Sequence, residues 1–88
     1  MLHQIGKLGE AKLIYESILE INSKQFEALH YLGTVYAQMG QYSNAIEFLK
    51  KAISTNPKQY DSHSNLGNAF IESNKYDEAI IAYNNALK

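Results

Sequence analysis

The amino-acid sequence predicts an all-α fold made of antiparallel helical hairpins that follow one another along the chain. Three observations lead to this prediction. Alanine recurs every 34 residues, as Ala11, Ala45 and Ala79. Between these positions, apolar residues are spaced by three and four, which is typical of amphipathic helices. Gly40 and Asn74, which accept the left-handed backbone that ends many helices, separate the apolar segments.

Other positions repeat at the same offset as the alanines. The pair Leu32-Gly33 returns as Leu66-Gly67, and the fourth residue after each alanine is large and apolar, as Tyr15, Leu49 and Tyr83. Because many positions agree at one period, an internal repeat is strongly indicated. The 88 residues accommodate about 2.5 copies of a two-helix unit.

The repeated residues form a pattern that can be read in each copy. The second copy reads Leu29-x2-Leu32-Gly33-x2-Tyr36, then Ala45-x3-Leu49, then Pro57, and the third reads His63-x2-Leu66-Gly67-x2-Phe70, then Ala79-x3-Tyr83. At these residues the chain resembles the tetratricopeptide-repeat (TPR) family, whose pattern is Trp-x2-Leu-Gly-x2-Tyr, Ala-x3-Phe and Pro over 34 residues. The family's Trp is replaced by Leu29 in the second copy and by His63 in the third.

The resemblance implies a right-handed α-solenoid in which the first helix of each hairpin lines a concave side. It places a single TPR domain over residues 1–88. Residues 1–24 form a partial first repeat, residues 26–59 the second, and residues 60–88 a truncated third. The residue pattern of the repeats is similar to that of O-linked N-acetylglucosamine (O-GlcNAc) transferases and other bacterial TPR proteins.

The first two helices are expected over residues 7–20 and 25–39. The first of these is the second helix of the incomplete first repeat. The second carries apolar residues at helical spacing and meets Gly40, which is expected to end it. These apolar residues are Leu29, Leu32, Tyr36 and Met39.

The third helix is expected over residues 42–53, where the apolar spacing resumes. Asn56-Pro57 is expected to cap the following helix and to preset its first turn. The same pattern of two amphipathic helices recurs over residues 59–73 and 75–87, with Asn74 in the place of Gly40.

Side chains on the repeating stripe are predicted to form the core. Gly33 and Gly67 lie inside helices, where each costs about 1 kcal/mol relative to alanine. We therefore expect two helices to approach closely there, with the repeating alanines 45 and 79 opposite. Tyrosines at five positions are expected in the core, and Tyr31 is expected to be exposed. The five are Tyr15, Tyr36, Tyr42, Tyr76 and Tyr83.

Composition argues against several function classes. The net charge is −1, and all eight cationic residues are lysines, so the basic excess that binds nucleic acid or an anionic membrane is missing. There is no cysteine for disulfides or thiolate metal sites. The apolar runs are too short to cross a bilayer, and the start does not have the pattern of a signal peptide. We expect a cytoplasmic protein.

Histidine offers the only candidates for acid–base chemistry near neutral pH, as His3, His30 and His63. None has a neighbouring histidine or cysteine at a metal-binding spacing. No Gly-x-Ser-x-Gly frame or phosphate-binding glycine loop is present. We predict no catalytic, cofactor or metal site and no enzyme activity. His63 is expected to be a partly buried packing residue, and His30 to face the groove.

By the geometry of the family, the ligand-facing side chains come from the first helix of each hairpin. The resulting candidate groove residues are Glu27, His30, Tyr31, Thr34, Gln38, Asp61, Ser64, Asn65, Asn68 and Glu72. No Lys or Arg is among them, which argues against the terminal-carboxylate clamp of chaperone-tail binders. Asn65 matches the asparagine that holds a peptide backbone in O-GlcNAc transferases, while Tyr31 occupies the equivalent position one repeat earlier.

We interpret the chain as a non-catalytic interaction or scaffold module that binds a protein or peptide segment in the concave groove. The alternative is a substrate-recruiting TPR arm of a larger enzyme such as a glycosyltransferase. An ordinary solvated polar face also fits these residues.

The terminal repeats are expected to expose apolar side chains and to allow a homodimer. At the last helix, Ala79, Tyr83, Ala86 and Leu87 are expected to be only partly covered. At the other end these residues are Met1, Leu2, Ile5 and Leu8.

Overall fold

The computed structural model describes residues 2–88, and side chains from residue 6 onward. The described chain contains five helices. They are α1 (Leu2–Ile21), α2 (Phe26–Gln38), α3 (Tyr42–Thr55), α4 (Tyr60–Glu72) and α5 (Tyr76–Ala86). Each helix packs against the next one along the chain, and α2 also contacts α4. The all-α prediction of stacked helical hairpins is confirmed.

Helix α1 is longer than the sequence predicts, beginning at Leu2 rather than at residue 7. A glycine inside a helix is unfavourable by only about 1 kcal/mol, so Gly6 and Gly9 do not stop it. Lys12 and Glu16 form an ion pair of 3.6 Å one turn apart on its surface. Such pairs stabilise a helix by about 0.3–0.5 kcal/mol.

Two left-handed residues end the first helix of each hairpin, as predicted. Gly40 has φ 78° and Asn74 has φ 63°. Beyond Gly40, the N–H of Gln41 turns back to donate to the carbonyl of Tyr36 at 2.8 Å, and the equivalent bond after Asn74 is 2.7 Å long. These bonds satisfy carbonyls that the end of a helix leaves without partners.

The prediction that Asn56-Pro57 opens the next helix is wrong. Asn56 follows the last residue of α3, and α4 begins only at Tyr60, with Gln59 at its N-cap. The intervening residues are needed because the chain reverses direction between antiparallel helices. The carbonyl of Pro57 in this turn accepts a hydrogen bond of 2.8 Å from His63 Nε2, which accounts for the predicted packing role of His63.

The glycines mark close helix contacts, but their partners differ from the prediction. A Cβ atom at Gly33 would lie 2.8 Å from Leu49 Cγ and 3.2 Å from the Leu49 backbone nitrogen. At Gly67 it would lie 2.7 Å from the ring of Tyr83. The atoms nearest to each glycine therefore belong to the large residue of each Ala-x3-Leu/Tyr pair.

Nine of the buried apolar side chains form two clusters. The first contains Leu32, Tyr36, Ala45 and Ala69. The second contains Leu49, Leu66, Phe70, Ala79 and Ala82. Since α3 contributes to both, it is the central element of the described fold.

Some burial predictions are wrong. Tyr76 is 58% exposed, and its hydroxyl donates to Asn74 Oδ1 at 2.9 Å, because it lies at the open start of α5. Ala79 is only 2% exposed, since α4 covers it, so it is not part of the open face of α5. Tyr36 is buried, and Tyr31 is exposed at 47%, as predicted.

The other tyrosines predicted for the core, and most of the described residues predicted at the open ends, have intermediate solvent exposure. Half-buried side chains are Tyr15, Tyr42, Tyr83, Leu8 and Ala86, whereas Leu87 is exposed. The expectations for Met1, Leu2, His3 and Ile5 concern side chains outside the described part of the structure.

Replacing Gly33 by alanine tests the close contact between α2 and α3. Overpacking typically costs about 1–3 kcal/mol, and the gain in helix propensity of up to about 1 kcal/mol offsets only part of that. We expect Gly33→Ala to lower the free energy of unfolding, measured by urea denaturation.

Gly9→Ala in α1 is the matched control, since outside the adjacent turns of α1 no described atom lies within 4 Å of where a Cβ atom would be. That variant should gain about 0.5–1 kcal/mol. Equal stabilisation by both substitutions would contradict the packing role of Gly33.

Candidate functional site

A concave groove of about 360 Å³ lies where α2 runs beside α4, and we call it the α2–α4 groove. Five of the side chains that the sequence assigns to the groove line it together. These are Thr34, Gln38, Asn65, Asn68 and Glu72. Ala37, Ala69 and Tyr42, which comes from the first turn of α3, complete the lining.

Helical spacing explains why these residues meet. Thr34 and Gln38 are four apart on α2, while Asn65 and Asn68 are three apart on α4, so each pair lies on one face of its helix. Asn65 and Asn68 are expected to have Cβ atoms about 5–6 Å apart. The contact between α2 and α4 then brings the two polar faces to one surface.

A chain of hydrogen bonds orients the Asn65 amide. The hydroxyl of Thr34 donates to the backbone carbonyl of His30 at 3.0 Å, so its oxygen is left to accept. Asn65 Nδ2 donates to that oxygen at 3.2 Å. The Asn65 Oδ1 atom remains as a hydrogen-bond acceptor.

The Asn68 amide is held through its oxygen, whereas the Asn65 amide is held through its nitrogen. Its Oδ1 atom accepts a hydrogen bond from the hydroxyl of Tyr83 on α5. The Nδ2 group therefore keeps its two N–H donors. Neighbouring positions on α4 thus offer one acceptor and one donor group, which complement the N–H and C=O of a peptide unit.

Four other predicted groove residues lie outside the lining. Glu27 accepts from Gln25 Nε2 at 2.6 Å, and Asp61 is exposed; both are in first turns, where the helix dipole favours negative charge. Ser64 is half-buried. Tyr31 stacks on Tyr15 of α1, with 5.8 Å between ring centroids.

His30 does not face the groove as predicted. It is only 8% exposed, and a hydrogen bond of 2.8 Å joins its Nδ1 atom to the Oγ atom of Ser62, which is fully buried. Phe26 stacks on its ring at 5.7 Å between centroids. The imidazole therefore connects α2 to α4 beneath the surface.

Burial lowers the pKa of His30 because the charged imidazolium would lose hydration, and the carboxylate of Asp61 offsets part of this effect. The His30–Ser62 pair has the atoms of a base and a nucleophile. The Ser62 hydroxyl is fully buried, and the pair joins two helices.

The sequence did not indicate Ser62 as the partner of His30 or Tyr83 as the partner of Asn68. Each partner lies on another helix, and their separations of 32 and 15 residues match no motif. Only the repeat period, which places α2 and α4 in equivalent positions, hints at the first pair. Among the described residues, no group of three or more His, Cys, Asp or Glu side chains could hold a metal ion.

The family model described as "Anaphase-promoting complex, cyclosome, subunit 3" matches residues 4–86. A crystal structure of MamA is 28% identical, with a TM-score of 0.89, and the match covers 97% of this chain and 50% of that chain. For a structure of MamA AMB-1 the identity is 22% and the TM-score 0.86, with coverage of 94% and 49%.

The second TPR domain of Spaghetti (RPAP3), bound to the HSP90 peptide SRMEEVD, has a TM-score of 0.89 at 18% identity, with coverage of 97% and 79%. This likeness concerns the fold alone. The chain spans about half the length of the MamA structures that it matches. No curated protein matches it. Within residues 2–88, every helix is too short or too polar to cross a membrane.

The lowered pKa of His30 makes stability dependent on pH. In the unfolded chain His30 binds a proton around pH 6.5, whereas the folded protein resists protonation. The unfolded state then binds more protons, so the free energy of unfolding should fall as pH decreases through 6.5, by up to about 1.4 kcal/mol per pH unit.

Urea denaturation between pH 7.5 and 5 measures this slope. His30→Asn keeps an acceptor near Ser62 but cannot titrate, so it should remove the His30 contribution. Asp61→Asn, which removes the opposing charge, should steepen the loss of stability. An unchanged pH profile in His30→Asn would contradict the assignment.

Proposed function

The chain belongs to the tetratricopeptide-repeat family, and from this premise we propose that it is a non-catalytic interaction module that holds a protein segment in the α2–α4 groove. The observation that carries the proposal is the pair of oriented amides, Asn65 and Asn68, in a concave surface. Their free acceptor and donor groups suit the backbone of an extended peptide.

Backbone recognition fits the small number of apolar contacts in the groove. Ala37 and Ala69 carry only a methyl group and leave room for a main chain to approach. Hydrogen bonds to peptide groups are the same for every residue type except proline. Such a groove tolerates sequence variation, which suits a scaffold.

The charge of the groove indicates which segments it disfavours. Glu72 lines it, Asp61 lies at the start of the same helix, and the lining contains no Lys or Arg. An acidic segment with a free terminal carboxylate would be repelled. The proposed ligand is therefore a neutral or basic segment, in contrast to the peptide bound by the RPAP3 domain.

Alanine substitution at Asn65 and Asn68 tests the groove. Peptides selected from a random library on the wild-type protein serve as probes, and fluorescence anisotropy measures their affinity. A lost hydrogen bond is worth about 0.5–1.5 kcal/mol, so each substitution should weaken binding about two- to tenfold with little change in the melting temperature.

Asn84→Ala, on the exposed face of α5, is the matched control and should bind like wild type. The peptide SRMEEVD should bind far more weakly than the selected peptides. If neither Asn65→Ala nor Asn68→Ala changes the affinity for the selected peptides, the groove is not the binding site.

A second candidate function is a substrate-recruiting arm of a larger enzyme such as a glycosyltransferase. The observation in its favour is Asn65, which stands at the position of the backbone-holding asparagine in the repeats of O-GlcNAc transferases and has an oriented amide. Both functions use the same groove. A catalytic domain encoded in the same reading frame would support the arm, and further repeats alone would support the scaffold.

We also propose a homodimer formed through the outermost helices. Both helices expose large apolar side chains, of which the sequence indicates only Leu87. On α5 and just after it these are Tyr76, Ile80, Ile81 and Leu87, and on α1 they are Leu13, Ile14, Ile18 and Ile21. Covering each such side chain stabilises an interface by up to about 1.5–3 kcal/mol.

Sedimentation equilibrium at several protein concentrations tests the dimer. Replacing Ile80 and Ile81 by lysine should weaken association at least tenfold, because apolar contact is lost and charge is buried. Ser43→Lys with Gln59→Lys adds the same charge at exposed positions outside α1 and α5 and is the control. A strictly monomeric wild type at about 100 μM would contradict the proposal, since specific complexes form at nM to μM concentrations.

A further inference from the structure

The second helix of a hairpin carries an aromatic ring in the second repeat that is missing at the same position of the third. Phe48 on α3 stacks on Tyr36 of α2, with 5.5 Å between ring centroids and 24° between ring planes. One repeat later, Phe70 stands in the place of Tyr36, but Ala82 stands in the place of Phe48. The ring that packs on the first helix in the second repeat therefore has no counterpart in the third.

A concavity of about 220 Å³ borders both Phe70 and Ala82, and we call it the Phe70 pocket. It is larger than the apolar cavity of about 150 Å³ that holds benzene. It is smaller than the sites of about 300–1,000 Å³ that take drug-sized ligands. Its size therefore suits a single ring, which is also what the comparison of the two repeats finds missing there.

The walls of the Phe70 pocket are apolar, and they come from α4 and α5. Their members are Leu66, Phe70, Ile81 and Ala82. Ile81 is 62% exposed, so this wall remains accessible to a ligand. The polar residues of the lining, Lys50, Glu78 and Asn85, are all exposed and form the rim. None of the seven lining residues belongs to the α2–α4 groove.

Lysine is the group that now covers the Phe70 ring. The Nζ atom of Lys50 lies 5.7 Å from the ring centroid, and the side chain is exposed, so it can move aside on its flexible stem. In the second repeat, Phe48 contacts a lysine as well as a ring, since Lys51 Nζ lies 4.8 Å from its centroid. A ring in the Phe70 pocket can make the same two contacts, by stacking on Phe70 and receiving the Lys50 ammonium group on its face.

We propose that the Phe70 pocket binds the side chain of a phenylalanine from a partner protein, in the place that Phe48 has in the second repeat. Phenylalanine is favoured over tyrosine and tryptophan because the walls contain no polar group for a hydroxyl or an indole N–H. Lys50 and Glu78 give the rim one charge of each sign, so the ring and not a charge decides recognition.

The partner is a different protein and not a second copy of this chain. The chain has three phenylalanines, of which Phe26 and Phe48 are half-buried and Phe70 is buried, so none is free to enter the pocket of another copy. The Phe70 pocket also lies apart from the groove. Its binding of a ring does not depend on whether the groove holds a peptide.

N-acetyl-phenylalaninamide is the probe for this site, because it carries the ring without a free charge. Backbone amide NMR shifts of the full chain map where it binds. We expect saturable shifts at the residues of the Phe70 pocket, with a Kd of about 1–10 mM. N-acetyl-leucinamide, which has no ring, should bind about two- to tenfold more weakly, since ring stacking contributes that factor beyond burial of apolar area.

Ala82→Phe tests whether the pocket is the space of a missing ring. It gives α5 the residue that α3 carries at the same repeat position, so the new ring should pack on Phe70. We expect this variant to lose probe binding and to raise the melting temperature by about 4 °C or more.

Ile81→Ala removes part of the wall and should weaken probe binding about three- to tenfold. Ile71→Ala is the matched control, because it makes the same truncation at an exposed position of α4 outside the lining, and it should bind like the wild type. The comparison of these two variants keeps the test decisive if Ala82→Phe does not fold.

Several outcomes would overturn the proposal. One is the absence of saturable binding to the wild type, and another is equal affinity for the phenylalanine and leucine probes. Shifts confined to Asn65 and Asn68 would place the probe in the groove instead. Undiminished binding to Ile81→Ala, or to a folded Ala82→Phe, would show that the ring does not occupy the Phe70 pocket.

Discussion

The close approach of two helices inside each hairpin is the constraint on which the rest of the structure depends. At Gly33 and Gly67 the backbone of the first helix comes so near to Leu49 and Tyr83 that even a methyl group would clash. This distance sets how deeply α3 can bury side chains on both of its sides. It also determines how far the first helices project, and therefore where α2 and α4 meet.

The contact between α2 and α4 includes two side-chain hydrogen bonds in addition to the apolar packing of Ala69. His30 bonds to Ser62 in the interior, and Thr34 bonds to Asn65 nearer the surface. Buried polar groups are tolerated only when they are paired, so these bonds fix the relative position of the two helices. The Thr34–Asn65 bond also orients a candidate ligand group.

The α2–α4 groove presents two amides and a carboxylate. With a net charge of only −1, the whole molecule attracts neither anions nor cations strongly. Selectivity for a protein segment would therefore arise from local arrangements of this kind and from contacts with the peptide backbone.

The sequence by itself determined the repeat, the five helices and the left-handed ends at Gly40 and Asn74, because spacing and backbone preference are local properties. Five groove residues were also predictable, since the period places them on equivalent faces of α2 and α4. Only the tertiary structure decided that His30 is buried and that Tyr76 is exposed. Each of these outcomes depends on which side chains a neighbouring helix covers, and that is a property of the packed hairpins and not of any one segment.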